Sequence, residues 1–258
     1  MGELYALMSA GGSPGVTTTA VALALTWPTA AIVAECDPSG GDVLAGVLAG
    51  HVPARQGLIE HAIEAGRGRW AADVDLAAQL VPLDAGQTKK VLPGLSDPRQ
   101  AAGVAAAWPA VLKSLANQRA DVIADCGRLD AGEEQPRAVL AAADVVAIVL
   151  RPTLRQVWSA QPRIGMLERL RGSRDQLGLL VVGRGTHSAR EIVRALGVPV
   201  LAVLPFDART ASVLSDGHGA RQRLIASPLM KSAPAAGKVL RQRVHVCHTE
   251  SAEMRTSG

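Results

Sequence analysis

The stretch SAGGSPGVTTTAVALAL, from Ser9 to Leu25, decides the fold expected for this chain. It overlaps the apolar run ELYALMSA and joins a glycine-rich turn to threonines and a series of Ala, Val and Leu. Glycines let successive backbone N–H groups converge on phosphate oxygens, and the tip of the following helix adds a partial positive charge. The stretch therefore predicts a strand, a phosphate-binding loop and a helix. An ordinary strand-to-helix turn with threonine caps is the alternative.

The side chains of this loop are not those of a standard phosphate-binding loop. Val16 stands where such loops carry the lysine that contacts the terminal phosphates. Thr17 can offer its hydroxyl to Mg²⁺, and Thr18 follows near the α-phosphate. Pro14 has no N–H group and so removes one donor from the loop.

Apolar segments alternate with helical patterns along most of the chain. Further strands are predicted at AAIVAEC, AAQLVPL, ADVIADC, ADVVAIVL, LGLLVVG and VPVLAVLP, and further helices at RQAAGVAAAWPAVLKSLAN and SAREIVRALG. Strands that are apolar on both faces and alternate with helices indicate a parallel sheet covered on both sides. We predict an α/β fold with a doubly wound, mostly parallel sheet flanked by helices, as a single domain over residues 1–240. Residues 241–258 lose hydrophobic periodicity and predict a flexible C-terminal tail.

Composition excludes several classes of protein. The 258 residues are 48% hydrophobic, which argues against disorder, and no apolar run is long enough to cross a membrane. Three cysteines cannot build a disulfide framework, and the first residues lack the basic segment of a signal peptide. We therefore expect a cytoplasmic protein without a membrane partner. Cys36 and Cys126, each at a strand end, are interpreted as small buried cysteines, with a redox pair as the alternative.

Two aspartates are expected beside the glycine-rich loop. Asp37 follows the second strand in AECDPSGGD, and Asp125 ends the strand ADVIADC. The carboxyl ends of parallel strands share one edge of the sheet, where ligands bind. Thr17, Asp37 and Asp125 thus form a candidate Mg²⁺–nucleotide site, with the metal held directly or through water. For each aspartate taken singly, a helix cap or an ordinary loop acid is the alternative.

In their order along the chain, these loops resemble the ParA/MinD class of deviant Walker ATPases, especially MinD-like chromosome-partitioning proteins of actinobacterial type. The family loop K-G-G-x-G-K-T-T is matched by GGSPGVTT from Gly11 to Thr18, a degenerate Walker A motif. The segment D-x-D-P-x-G is matched by ECDPSGG, with Glu35 in place of the first aspartate, and the Walker B strand by DVIADCG. LAVLPFDARTASVLSDG resembles the family's strand, proline, acid and helix near the adenine. The resemblance covers about residues 3–240.

The resemblance implies a P-loop NTPase fold with ATP and Mg²⁺ as cofactors, and a homodimer with nucleotide at its interface. It implies catalytic roles for Asp37 and Asp125 if the site is active. It implies nucleotide contacts for Gly11, Gly12, Ser13, Gly15, Val16, Thr17, Thr18 and Pro205. The function implied is a positioning, partitioning or assembly switch that contacts a protein partner.

The chain departs from the family at both of its lysines. Val16 replaces the lysine inside the loop, and Gly11 replaces the signature lysine that reaches across the dimer. Each lost contact to a phosphoryl transition state costs on the order of 10²–10³ in rate, so ATP hydrolysis is expected to be slow or absent. Three arginines are candidates for cations that replace the missing lysines: Arg128, Arg151 and Arg155. The alternative is that each is an ordinary solvated loop arginine.

Two other functions stay open at this point. One is a pseudo-ATPase scaffold that binds protein partners without nucleotide. The other is a partition protein that binds DNA without sequence preference, because phosphate contacts from a basic face are enough for such binding. The candidate basic face is an arginine series: Arg163, Arg169, Arg171, Arg174, Arg184, Arg190 and Arg194.

Overall fold

The structure, a computed structural model, describes residues 1–41, 43, 46–48, 50, 56–66, 75–129, 137–217 and 224–256. For residue 216 and residues 247–256 it describes the backbone only. None of the helices in these ranges is both long enough and apolar enough to span a membrane.

The described residues form one eight-stranded sheet with the strand order β3-β4-β2-β5-β1-β6-β7-β8. Neighbouring strands are parallel except for the pair β3 and β4. β1, β6 and β7 are buried along their whole length, as expected of central parallel strands rich in Val, Ile and Leu. The predicted fold class is confirmed. The strands are β1 (Leu4–Ser9), β2 (Ala31–Glu35), β3 (Val81–Pro82), β4 (Lys89–Leu92), β5 (Asp121–Arg128), β6 (Val145–Leu150), β7 (Leu177–Val182) and β8 (Val200–Leu204).

Helices cover both faces of the sheet. Apolar side chains of α1, α8 and α9 pack on one face, and those of α2 to α7 pack on the other. Side chains of β1 alternate between the two cores: Ala6 and Met8 enter one, Tyr5 and Leu7 the other. The helices are α1 (Val16–Thr26), α2 (Leu58–Gly66), α3 (Ala101–Val104), α4 (Trp108–Ala116), α5 (Arg137–Ala142), α6 (Leu154–Arg171), α7 (Ala189–Leu196), α8 (Ala208–Asp216) and α9 (Pro228–Thr256).

The segment predicted as one helix over residues 99–117 is divided. Short 3₁₀ turns at Pro98–Gln100 and Ala105–Ala107 separate α3 from α4. Pro109 in the first turn of α4 has no N–H group to continue a preceding helix, which favours a new start at this point. By contrast, α7 begins and ends where the sequence predicts, with Ser188 as its N-cap and Gly197 as its C-cap.

The lysine-containing strand β4 was not predicted from the sequence, because its pattern KKVL is too polar to indicate a buried strand. Lys89 is nevertheless only 9% exposed. Its Nζ donates hydrogen bonds to the carbonyl oxygens of Trp27 (2.5 Å) and Thr29, just beyond the end of α1. Burial lowers the pKa of Lys89. The lysine therefore satisfies carbonyls at a helix end while β4 pairs with β2.

The boundary predicted at residue 240 falls inside α9, which continues to Thr256. Leu240 and Val244, four residues apart, are 0% and 1% exposed and belong to the core beneath α1. This spacing places both side chains on one face of the helix. Helical structure therefore extends through most of the segment that the sequence predicts as a tail.

Candidate functional site

The glycine-rich loop joins β1 to α1 as predicted. Gly12 and Gly15 have positive φ angles of 67° and 98°, a region that residues with side chains rarely adopt. The carbonyl of Gly15 accepts the first α-helical hydrogen bond, from the N–H of Thr19 at 2.9 Å. The preceding N–H groups of the first turn have no acceptor within the helix, and Gly15 has no side chain to cap them. The loop therefore presents backbone donors at a helix N-terminus, the arrangement that favours anions.

A cavity of about 500 Å³ opens above this loop at the carboxyl edge of the sheet. It brings together residues from β1, α1, the end of β5 and the segments after β2 and β8. Eight predicted site residues line it: Gly12, Ser13, Gly15, Val16, Thr17, Thr18, Asp37 and Pro205. Two predicted site residues, Gly11 and Asp125, are not among the residues that line it.

Both positions at which the related loops carry lysine are packed against protein. Val16 is 7% exposed and belongs to the core beneath α1, although it also reaches the cavity wall. A Cβ atom at Gly11 would lie 3.4 Å from the Oγ of Ser159 on α6, and one at Gly12 would lie 3.1 Å from the Nε2 of Gln156. Gln156 also accepts a hydrogen bond from the N–H of Arg151 at 2.7 Å. The N-terminal end of α6 thus supports the loop from one side.

Asp37 lies at the cavity beside the end of β5. Its Oδ1 accepts a hydrogen bond from the N–H of Ser39 at 2.7 Å, which closes a turn after β2. Its carboxylate lies against Gly127, where any Cβ atom would overlap it. With the hydroxyl-bearing Thr17 it contributes to the cavity the oxygen groups that Mg²⁺ prefers.

Asp125 lies below the cavity. It is 2% exposed, and its Oδ1 accepts a hydrogen bond from the N–H of Gly127 at 3.0 Å. The structure therefore brings Thr17 and Asp37 together at the cavity and places Asp125 beneath them. Within the described ranges, no group of three or more His, Cys, Asp or Glu side chains is arranged to hold a metal ion. Magnesium in nucleotide sites needs only one or two carboxylates, since phosphates and water complete its shell.

Glu35, the residue that replaces the first aspartate of the family segment, supports loops. Its side chain is buried, and its two carboxylate oxygens accept hydrogen bonds from the N–H groups of Val43 (2.9 Å) and Gly94 (3.0 Å). The longer side chain thus connects the segment after β2 to the segment after β4.

Several cavity residues were not named individually by the sequence analysis, among them Ser39, Gly127, Phe206 and Asp207. Phe206 is the only phenylalanine of the chain and directly follows Pro205, which was the signal available in the sequence. In the structure its side chain is 57% exposed. Asp207 caps α8, where it accepts hydrogen bonds from both the N–H (3.0 Å) and the hydroxyl (2.7 Å) of Thr210. These hydrogen bonds lower the pKa of Asp207 against the opposing effect of its burial.

The three arginines considered as substitutes for lysine have different positions. Arg128 lines the cavity. The guanidinium of Arg151 stacks on Phe206, with its carbon 3.9 Å from the ring centre. Arg155 is exposed on the first turns of α6 and does not line the cavity.

The predicted basic face is only partly available for binding. Arg163 donates to the carbonyl of Leu129 (3.3 Å), and Arg174 pairs with Glu168 at 2.7 Å. Arg171 donates to the carbonyls of Leu140 (2.5 Å) and Ala141 (3.1 Å), at the C-terminal end of α5. The remaining members of the series are exposed: Arg169, Arg184, Arg190 and Arg194.

Cys36 and Cys126 are both free and buried. Burial raises the pKa of each thiol, so neither forms a thiolate readily. The interpretation as small buried cysteines agrees with this environment.

No protein-family model and no curated protein matches the sequence. Solved structures match it over nearly its whole length. A ParA family ATPase from Chlorobium tepidum is 16% identical with a TM-score of 0.71, over 92% of this chain and 99% of that chain. A chain of the MinC:MinD cell division protein complex of Aquifex aeolicus is 18% identical with a TM-score of 0.68, over 93% of this chain and 96% of that chain. MinD from Pyrococcus horikoshii, solved with Mg-ADP, is 18% identical with a TM-score of 0.65, over 92% and 95%. At these identities the likeness concerns architecture, and this chain has the fold of the MinD and ParA-family ATPases.

Proposed function

We propose that this chain binds ATP with Mg²⁺ in the cavity and acts as a positioning, partitioning or assembly switch that hydrolyses ATP slowly or not at all. One observation carries the proposal: the glycine-rich loop, Asp37 and Pro205 line a single cavity at the carboxyl edge of a parallel sheet. This edge is where open α/β sheets bind ligands. MinD from Pyrococcus horikoshii has the same fold and was solved with Mg-ADP, which supports the choice of ligand.

Each part of the cavity has a role in this proposal. The N–H groups of the loop and of the first turn of α1 bind phosphate oxygens. Thr17 and Asp37 hold Mg²⁺ or its water ligands, and the metal neutralises part of the phosphate charge. Asp125 holds the end of β5 by accepting a hydrogen bond from the N–H of Gly127, and it would act on a bound metal through water and not as a direct ligand. Pro205 and Phe206 also line the cavity and would contact the base.

The absence of both lysines limits the chemistry. Phosphoryl transfer is accelerated mainly by positioning and by electrostatic stabilisation of the terminal phosphate. Val16 gives the loop an apolar side chain at this point, and Gly11 gives it none. Nucleotide binding can therefore persist through backbone donors while turnover falls by on the order of 10²–10³ for each lost cation. A slow site suits a switch whose state is set by nucleotide occupancy, with a homodimer and a protein partner as its readouts.

Titration calorimetry with ATP and Mg²⁺ tests the binding step. Thr17→Val removes the hydroxyl with little change in shape and is expected to weaken magnesium-dependent ATP binding by on the order of tenfold. Thr186→Val, on an exposed loop after β7, is the matched control and should bind ATP as the wild type does. Absence of binding at millimolar ATP would leave only functions that do not use nucleotide.

A phosphate-release assay tests the slow turnover. Turnover at the rate of an ordinary ATPase, abolished in Asp125→Ala, would refute the argument from the missing lysines.

A scaffold function without nucleotide is the second candidate. It is favoured by Leu154 and Trp158, which are 66% and 75% exposed one helical turn apart on α6. This helix supports the loop, so a protein partner bound to it would lie next to the cavity. Such a partner would bind equally with and without ATP if the scaffold hypothesis is correct. The switch hypothesis expects its affinity to change with nucleotide.

DNA binding is the third candidate, based on the exposed arginines of α6, α7 and the segment after β7. A mobility shift that weakens steeply with salt would support it, since phosphate contacts release counterions. Absence of a shift at low salt would remove it.

A further inference from the structure

We propose that Arg128 is the phosphate-binding cation of this cavity and that it makes the site select nucleotides with two or three phosphates over monophosphates. The inference rests on the proposed nucleotide binding and names the residue that replaces the missing lysines. It starts from an irregularity in the pairing of β1 with β5.

The end of β5 contains one residue more than the strand beside it. Leu7 of β1 lies opposite Asp125, and Ser9 lies opposite Arg128, so β1 advances by two residues while β5 advances by three. The N–H of Leu129 then bonds to the carbonyl of Ser9 at 2.8 Å, which fixes the shifted register. Such a bulge redirects the side chains that follow it, because side chains of a strand alternate between faces.

The burial pattern records this change of face. Ala124 and Cys126 belong to the core under α2 to α7, and the next side chain along the chain in that core is Leu129, directly after β5 and three positions on instead of two. The side chain of Arg128 therefore lies on the same face of the sheet as that of Ile123, which belongs to the core on the side of α1. Without the extra residue, alternation would direct Arg128 to the face opposite the phosphate-binding loop. With it, Arg128 lines the cavity.

Gly127 makes the bulge possible. Its φ angle is 58°, and its missing side chain leaves room for the carboxylate of Asp37. The same residue donates its N–H to Asp125. The acid of β5, the acid after β2 and the arginine are thus organised around one glycine.

The charge of the cavity wall supports a phosphate role for Arg128. Of the described residues that line the cavity, Asp37 and Asp207 carry carboxylates and Arg128 alone carries a cationic side chain. Among these described residues, removal of Arg128 would leave only negative ionised side chains, which repel a polyphosphate. Arginine suits this position because its planar group offers several N–H donors to phosphate oxygens and stays charged.

The test compares ATP and AMP binding, each with Mg²⁺, by titration calorimetry on the full chain. The wild type is expected to bind ATP at least about tenfold more tightly than AMP, since only ATP reaches the cation. Arg128→Gln should weaken ATP binding by on the order of 10- to 100-fold and AMP binding by less than about threefold. Arg128→Lys keeps the charge and should retain most of the ATP affinity. Arg155→Gln removes an equal charge from exposed α6 and should bind both ligands as the wild type does.

The possible outcomes separate this inference from the proposed function. A wild type that binds ATP, with Arg128→Gln binding it equally well, overturns the role of Arg128 and leaves nucleotide binding intact. Equal losses for ATP and AMP in Arg128→Gln, or an equal loss in Arg155→Gln, overturn it as well. Equal affinity of the wild type for ATP and AMP would also overturn the role of Arg128, and this result needs no variant. A wild type that binds neither ligand refutes both proposals.

Discussion

Replacing Gly127 with alanine tests the centre of the site. The backbone there has a φ angle of 58°, which costs an L-residue with a side chain roughly 1–2 kcal/mol. The new methyl group would also overlap the carboxylate of Asp37, which must move and lose its hydrogen bond from Ser39, worth about 1 kcal/mol. We therefore expect Gly127→Ala to lower the free energy of unfolding by about 2–3 kcal/mol. For a chain of this size, such a loss lowers Tm by about 4–12 °C.

The matched control is Gly103→Ala in α3. A Cβ atom at Gly103 would have no heavy atom within 4 Å, and its φ is not in the positive region. This variant should be as stable as the wild type or more stable by about 0.4–1 kcal/mol, because alanine restricts the unfolded chain. Thermal unfolding followed by circular dichroism measures both variants, and calorimetry measures their ATP affinity. If Gly127→Ala matched the wild type in Tm and in ATP affinity, the reasoning about the bulge would be wrong.

Two further substitutions test the charge of the loop and the buried histidine of α2. Val16→Lys should raise ATP affinity, measured by calorimetry, by on the order of 10- to 100-fold. Val16→Met introduces a side chain of similar length without charge and should not raise it. Equal ATP affinities of the two variants would refute the argument that the loop lacks a cation. His61 is fully buried in α2, and neither ring nitrogen has a hydrogen-bond partner within the described ranges. Burial lowers the pKa of His61 against the opposing field of Glu64, so below about pH 6.5 the unfolded chain takes up a proton that the folded chain does not. Stability should therefore fall as pH drops below about 6.5, by at most about 1.4 kcal/mol per pH unit from this group, and His61→Leu should remove that share. This prediction would be contradicted if the difference in Tm between pH 7.5 and pH 5.5 were the same in His61→Leu as in the wild type.

Local sequence patterns were sufficient where burial alone dictates structure. The runs from Leu4 to Ser9 and from Val145 to Leu150 are apolar at nearly every position, and only a strand buried on both faces accommodates this pattern. Ser188 and Gly197 specify the two ends of α7 by the conformations they favour. The meeting of the glycine-rich loop and Asp37 at one cavity could be predicted in the same way, because the carboxyl ends of parallel strands share one edge whatever the details of packing.

Contacts between distant segments could not be predicted from the sequence. Lys89 is polar, yet it is buried. Its ammonium group donates hydrogen bonds to two carbonyl oxygens near the end of α1, about sixty positions away in the sequence. Glu35 stands where the family segment has its first aspartate, and its carboxylate accepts hydrogen bonds from the N–H groups of Val43 and Gly94. The acceptors of Lys89, and the Gly94 N–H that bonds to Glu35, lie about sixty positions away in the sequence, so no local period reveals these contacts.

The sequence by itself determined that this chain forms a doubly wound sheet with a glycine-rich loop and a valine where a lysine is expected, since these follow from local hydrophobicity and backbone freedom. Only the tertiary structure decided which charges meet at the cavity. A single extra residue at Gly127 turns Arg128 toward the loop, and the packing of Asp37 on that glycine brings a carboxylate to the same point. Strand register and close contacts between distant segments are properties of the packed chain, and one residue of register changes the face on which a charge lies.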